Sequence, residues 1–178
     1  MMARLMQGFV QIYTGNGKGK TTAAFGAALR AAGNGFSVAF IQFLKPGTDA
    51  QLFAHLPAVH FRAFGRSHTE AGWYHKRLEN ELPPREIEEG WAFASETILT
   101  STHDVVIIDE LNVALLFDFI SVESVIEVLQ KRPKNREVII TGRGAPQSLI
   151  DLADLVTEMR EIKHMYQRGV AARLGIEF

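Results

Sequence analysis

The run Thr14-Gly15-Asn16-Gly17-Lys18-Gly19-Lys20-Thr21-Thr22 constrains this chain more than any other stretch. A strand-like segment, Gly8 to Thr14 (GFVQIYT), leads into it. An alanine-rich helical segment, Lys20 to Ala32, leaves it and stops at Gly33-Asn34-Gly35. Strand, glycine-rich turn and helix in that order is the context a P-loop requires. Glycines let the backbone curl so that successive N–H groups face inward at phosphate oxygens. The start of the helix adds partial positive charge. Lys20 can bring a point charge to the β- and γ-phosphates, and Thr21 can offer its hydroxyl to Mg²⁺. The common pattern G-x-x-x-x-G-K-[ST] is met except at its first position, which holds Thr14. Lys18 stays open between a phosphate contact and a solvent-facing position.

Strand-like and helix-like segments alternate through the rest of the chain. Phe36 to Leu44, Val59 to Phe64, Val105 to Asp109, Glu137 to Thr141 and Leu155 to Met159 read as strands. Between them, Ile87, Trp91, Ala94 and Ile98 form one helical stripe, and Val122, Val125, Ile126 and Leu129 form another. Pro146 stands where a further helix begins. Such alternation predicts an α/β fold, a mostly parallel sheet with helices on both faces. At ~150 residues per domain, a chain of 178 residues is expected to be one domain, spanning 1–178. The polar segment from Gly65 to Asn80 reads as a long loop, a place where function concentrates. The segment from Arg160 onward reads as irregular.

Two more segments carry chemistry. Val105-Val106-Ile107-Ile108-Asp109-Glu110 is an apolar run closed by two carboxylates, the Walker B form. At the carboxyl edge of a parallel strand these acids can face the P-loop and hold a metal. Spacing leaves open which acid does so; Glu110 could instead orient a water. Thr141-Gly142-Arg143-Gly144 follows another apolar strand and should open on the same crevice, where Arg143 could clamp a phosphate. The histidines have no metal-ligand spacing and are expected on the surface or in loops. Trp91 lies on an apolar stripe and is expected in the core.

Composition removes other classes of function. The absence of cysteine excludes disulfide scaffolds, zinc ribbons, Fe–S clusters and thiol nucleophiles. A net charge of −1 gives no bulk electrostatic case for binding nucleic acid. No run approaches the ~18 apolar residues of a membrane span, and Met1 to Met6 does not read as a secretory signal. A cytoplasmic protein is the expectation.

These motifs resemble the P-loop type of ATP:corrinoid adenosyltransferases, and the likeness covers nearly the whole chain. Its specific pieces are Gly15 to Gly26, Ile41-Gln42-Phe43-Leu44-Lys45, Ile108-Asp109-Glu110-Leu111-Asn112, Ile140 to Pro146, Ala153 to Met159, and the close from Lys163-His164 to Phe178. Thr14 in place of the leading glycine also fits that family. The resemblance implies a three-layer αβα P-loop NTPase fold with a RecA-like sheet. It implies that a Co(I) corrinoid attacks the 5′-carbon of ATP and that triphosphate leaves. Lys20, Glu110 and Arg143 would be the catalytic residues. ATP would lie on Gly15, Asn16, Gly17, Lys18, Gly19, Lys20, Thr21, Thr22 and Arg143, reversed relative to other P-loop proteins, with Mg²⁺ on Thr21 and Glu110. A homodimer and a flavoprotein reductant are implied as partners.

Two features depart from the family. Members usually carry a Phe-Thr-Trp sequence after the third strand, where this chain has His68-Thr69-Glu70. His68, Trp73 and Tyr74 are therefore the candidates for the corrinoid side. The chain also begins a few residues before its first strand, without the longer N-terminal arm of many members. Two other readings stand beside this one: a P-loop ATP hydrolase or phosphotransferase, and a non-catalytic module that binds ATP or a corrinoid.

Overall fold

The computed structural model describes residues 5–65, 82–173 and 175–176. Six strands form one sheet: β1 (Val10–Thr14), β2 (Val38–Phe43), β3 (Val59–Phe64), β4 (Val105–Asp109), β5 (Glu137–Thr141) and β6 (Leu155–Glu158). Their order across the sheet is β3-β2-β4-β5-β1-β6, and every pairing is parallel. Among the described residues the sheet is thus wholly parallel.

Alternation along the strands builds two cores. Val38, Phe40, Val105, Ile107 and Ile139 point to one face, where Ala24 and Ala28 of α1 (Lys20–Gly33) cover them. Ala39, Ile41, Val106, Ile108, Val138 and Ile140 point to the other. There they meet Ile87, Ala94 and Ile98 of α2 (Arg85–Thr100), Leu111 and Leu115 of α3 (Leu111–Leu116), Val125 and Leu129 of α4 (Val122–Lys131) and Leu149 of α5 (Gln147–Leu152). Strands covered on both faces become continuous apolar runs, which is why β2 and β4 are buried at every position. Burying each such Ile or Leu contributes about 1.5–3 kcal/mol. The result is the expected three-layer αβα arrangement.

The predicted stripes hold, with Trp91 half-buried against the core and its Nε1 donating to Ser124 Oγ at 2.8 Å, which ties α2 to α4. Two elements escape the sequence reading. A 3-10 turn at Thr48–Phe53 packs Phe53 against both Phe40 and Phe61. Helix α3 begins at once after β4, and its sequence LNVALL is too short and too apolar to show a period. The irregular segment after Arg160 contains a second 3-10 turn, Met165–Arg168. Among the described residues, no helix is long and apolar enough to cross a membrane.

Strand order positions the site. One strand, β5, separates β1 from β4, and the chain leaves β1 for β2 at the far side of β4. In such sheets the crevice lies beyond the carboxyl ends of the strands, where the order reverses. The ends of β1, β2, β4 and β5 all open there.

At the opposite edge, His60 Nδ1 lies 2.7 Å from His103 Nε2, and His103 Nδ1 lies 3.1 Å from Ser101 Oγ. Burial lowers the His103 pKa below its ordinary 6.5, and the charges of His60 and Arg136 lower it further against the pull of Asp104. The folded chain therefore favours the neutral ring. That contribution to stability is complete above pH 6.5 and is lost as pH falls through the lower folded value. Melting temperature should fall on acidification below about pH 6.5, and His103→Gln should flatten that part of the curve. Thermal melts across this range check it; identical slopes in the two proteins would remove His103 from the account.

Candidate active site

β1 is buried at Val10, Ile12 and Thr14 and delivers the chain to the sheet edge at Gly15. Gly15 (φ +94) and Gly19 (φ +122) take backbone conformations that side chains rarely allow. Gly17 is required for a different reason: a Cβ there would sit 2.7 Å from the carbonyl oxygens of Met159 and Arg160. The Gly17 N–H donates to Met159 O at 2.7 Å, and Met159 N–H donates to Thr14 O at 2.8 Å. The chain leaving β6 therefore braces the glycine loop from outside.

Helix α1 starts at Lys20 with no side-chain cap and no acidic residue in its first turn. Its first N–H groups and its positive end are left for an anion. Lys20 is 8% exposed, and its Nζ donates to the carbonyls of Gly15 and Gly17, each at 2.7 Å. An ammonium has three donors, so one proton remains for a further acceptor. Burial lowers the Lys20 pKa, opposed by Glu110 and reinforced by Arg143, and the net direction is down. Asn16 and Thr22 are exposed on the loop and on α1. Lys18 Nζ donates to Ile176 O at 2.8 Å, so its reach includes the C-terminal segment.

The two acids at the end of β4 have different environments. Asp109 is fully buried. Its Oδ1 accepts from Thr21 Oγ1 (2.8 Å) and Thr141 Oγ1 (2.6 Å), and its Oδ2 accepts from Gln42 Nε2 (3.0 Å) and Lys45 Nζ (2.8 Å). Burial pushes its carboxyl up, but the Lys45 charge and the hydrogen bonds from Lys45, Thr141 and Gln42 outweigh this and hold it below the ordinary 3.8. Glu110 has φ +63, a strained left-handed conformation for a non-glycine residue. Its side chain is 21% exposed, and its Oε1 lies 3.4 Å from Lys45 Nζ. Burial raises the Glu110 carboxyl above its ordinary 4.5, Lys45 opposes this, and the neighbouring Asp109 charge adds to the rise. Asp109 is therefore the fixed anion that orients Thr21, and Glu110 is the carboxylate with access to the crevice.

Thr21, Asp109 and Glu110 offer hard oxygen donors, the type Mg²⁺ takes. The Thr21 hydroxyl spends its proton on Asp109, which leaves its lone pairs to accept, and one of them faces Lys45 Nζ at 3.1 Å. The donor set fits the metal that the sequence implied.

The third strand end is closed by a glycine pair. Gly142 (φ +128) lies so near α3 that a Cβ would come within 2.9 Å of Asn112 Cβ, and Asn112 Nδ2 donates to Gly142 O at 3.1 Å. Ala145 N–H donates to Thr14 Oγ1 at 3.3 Å. That bond gives Thr14 a role glycine could not fill, because it ties the phosphate loop to the arginine loop. Arg143, between Gly142 and Gly144, is exposed and has no side-chain hydrogen bond or ion pair among the described residues. Its charge is nonetheless felt at Lys20.

Lys20, Thr21, Glu110 and Arg143 thus follow the carboxyl ends of β1, β4 and β5. His68, Trp73 and Tyr74 lie outside the described residues. Sequence reasoning passed over Gln42, Lys45, Thr141 and Asn112 as site residues, though each stands in a segment that carried the resemblance. The available signal was polar: Gln42, Asn112 and Thr141 are polar residues set in apolar runs, and all three are fully buried.

A family model described as ATP:corrinoid adenosyltransferase BtuR/CobO/CobP matches residues 6–178. The corrinoid adenosyltransferase of Escherichia coli (strain K12) is 38% identical over 172 residues, covering 97% of this chain and 86% of that protein. The corrinoid adenosyltransferase CobA of Salmonella typhimurium (strain LT2) is 38% identical with the same coverage. The corrinoid adenosyltransferase of Pseudomonas aeruginosa is 33% identical over 180 residues, covering 99% of this chain and 86% of that protein. A phosphate cradle braced by β6, a buried lysine and a split pair of acids thus occur in a chain matched almost end to end, and the chain belongs to the ATP:corrinoid adenosyltransferase family.

Proposed function

We propose that this chain transfers the 5′-deoxyadenosyl group of ATP to the Co(I) centre of a corrinoid. The cobalt electron pair forms the bond to C5′, the C5′–O5′ bond breaks, and triphosphate leaves with its electrons. The observation that carries this reading is the buried Lys20 ammonium, with one donor to spare, facing the open end of α1. Co(I) needs no activation by a base. The protein's work is to hold C5′ in line and to stabilise negative charge on the departing triphosphate.

Lys20, the Gly15–Thr22 backbone and Arg143 perform that stabilisation. Thr21 and Glu110 hold Mg²⁺, with Asp109 orienting Thr21. When bound, the metal neutralises phosphate charge. Residues 1–178 act as one nucleotide-binding domain. The protein works in the cytoplasm as a homodimer, receives Co(I) from a flavoprotein reductant, and does not bind nucleic acid or membrane. His68, Trp73 and Tyr74 serve the corrinoid side.

The test is incubation with MgATP, with and without chemically reduced cobalamin. Triphosphate should appear only with the reduced corrinoid, together with the absorption change of a new cobalt–carbon bond. Orthophosphate and ADP released without corrinoid would point to a hydrolase instead. Tight binding with no product would point to a carrier.

A further inference from the structure

Lys45 reaches Asp109, Thr21 and Glu110 together. The chain leaves β2 through Leu44, whose φ of +61 is strained for a non-glycine residue, and Lys45 follows at once. Its Nζ lies 2.8 Å from Asp109 Oδ2, 3.1 Å from Thr21 Oγ1 and 3.4 Å from Glu110 Oε1. Thr21 Oγ1 gives its proton to Asp109 and accepts from Lys45. The ammonium therefore holds one of the two lone pairs on which a metal would draw.

We infer that Lys45 is a tethered cation that occupies the metal position among Thr21, Asp109 and Glu110, and that it must withdraw before Mg²⁺ can bind. The inference rests on Thr21 and Glu110 being the metal's ligands. Two cations cannot share these oxygens at contact distance. A site filled by its own ammonium binds metal with an affinity reduced by the fraction of time it is filled. Nucleotide changes that balance, because phosphate oxygens add ligands to the metal and offer the displaced ammonium a new partner. Mg²⁺ thus binds more weakly alone than together with ATP. Lys45 is a positioning residue for the metal and the acids, and its side chain, 29% exposed, has room to move.

Melting temperature followed against Mg²⁺ concentration, without nucleotide and then with ATP, tests this on the wild type, Lys45→Gln and Lys45→Arg. Without nucleotide, Lys45→Gln should reach its metal midpoint at a concentration about tenfold lower than wild type, while Lys45→Arg, which keeps the charge, should stay with wild type. Equal midpoints for Lys45→Gln and wild type overturn the inference and leave the metal site standing. If none of the proteins responds to Mg²⁺ even with ATP, the metal site falls and the inference falls with it. Should Lys45→Gln fail to fold, acylation of Lys45 in the wild type, read by mass spectrometry, answers the same question. The labelling rate should rise with Mg²⁺ alone as the amine is released. A rate that stays flat across the Mg²⁺ range that shifts the wild-type melting temperature overturns the inference.

Discussion

Replacing Lys20 by alanine is expected to remove measurable MgATP binding and to lower adenosyl transfer at least about a hundredfold. The ammonium is the buried positive group of the cradle, and it lies against the loop carbonyls rather than in solvent. Alanine deletes the charge and also leaves the Gly15 and Gly17 carbonyls without this donor. The α1 N–H groups and Arg143 remain, so the loss measures what one fixed cation adds to a preorganised anion site. Arginine should not rescue the activity, because its planar fork cannot take the place of a compact ammonium in this space. Calorimetry with MgATP decides the binding, and triphosphate release decides the chemistry. An unchanged dissociation constant would mean that the polyphosphate lies somewhere other than this loop.

Asp109→Ala should be the most damaging change to the fold at the site. Asp109 is fully buried and receives Thr21, Thr141, Gln42 and Lys45. Truncation strands those donors and breaks a pair whose acidic partner has no access to solvent, a loss of about 3–5 kcal/mol. At about 2–4 °C per kcal/mol for a chain of this size, melting temperature should drop by roughly 10 °C. Asp109→Asn keeps an acceptor and should cost less. The Asp109 carboxyl is held below its ordinary 3.8, so its contribution is complete above that pH and is lost as pH falls through the folded value. The gap between wild type and Asp109→Asn should therefore close in acid. A melting temperature for Asp109→Ala within about 2 °C of wild type would show that the corner is not braced by this carboxylate.

Lys20 and Asp109 also mark how far the sequence could be read. The cradle was legible because its chemistry is local: Thr14 to Thr22 holds the strand end, the glycines and the helix start within one short run. Helix α3 was not legible, because a six-residue apolar helix has the same pattern as a buried strand. The division of labour between Asp109 and Glu110 was not legible either. It depends on a left-handed turn at Glu110 and on donors from β2, β5 and α1, which no spacing records.

Local order thus settled the class of this protein from the chain alone. Apolar runs of strand length, helical stripes and a glycine loop between them admit a parallel αβα sheet and a phosphate site at its edge. Only the folded arrangement decided which polar groups meet there. The Gln42–Lys45 pair, Asp109 and Thr141 are far apart in sequence and come together because strand order puts β2, β4 and β5 side by side. Backbone hydrogen bonding and alternation are properties of neighbours along the chain, whereas the charge and burial of a carboxylate are properties of everything packed around it.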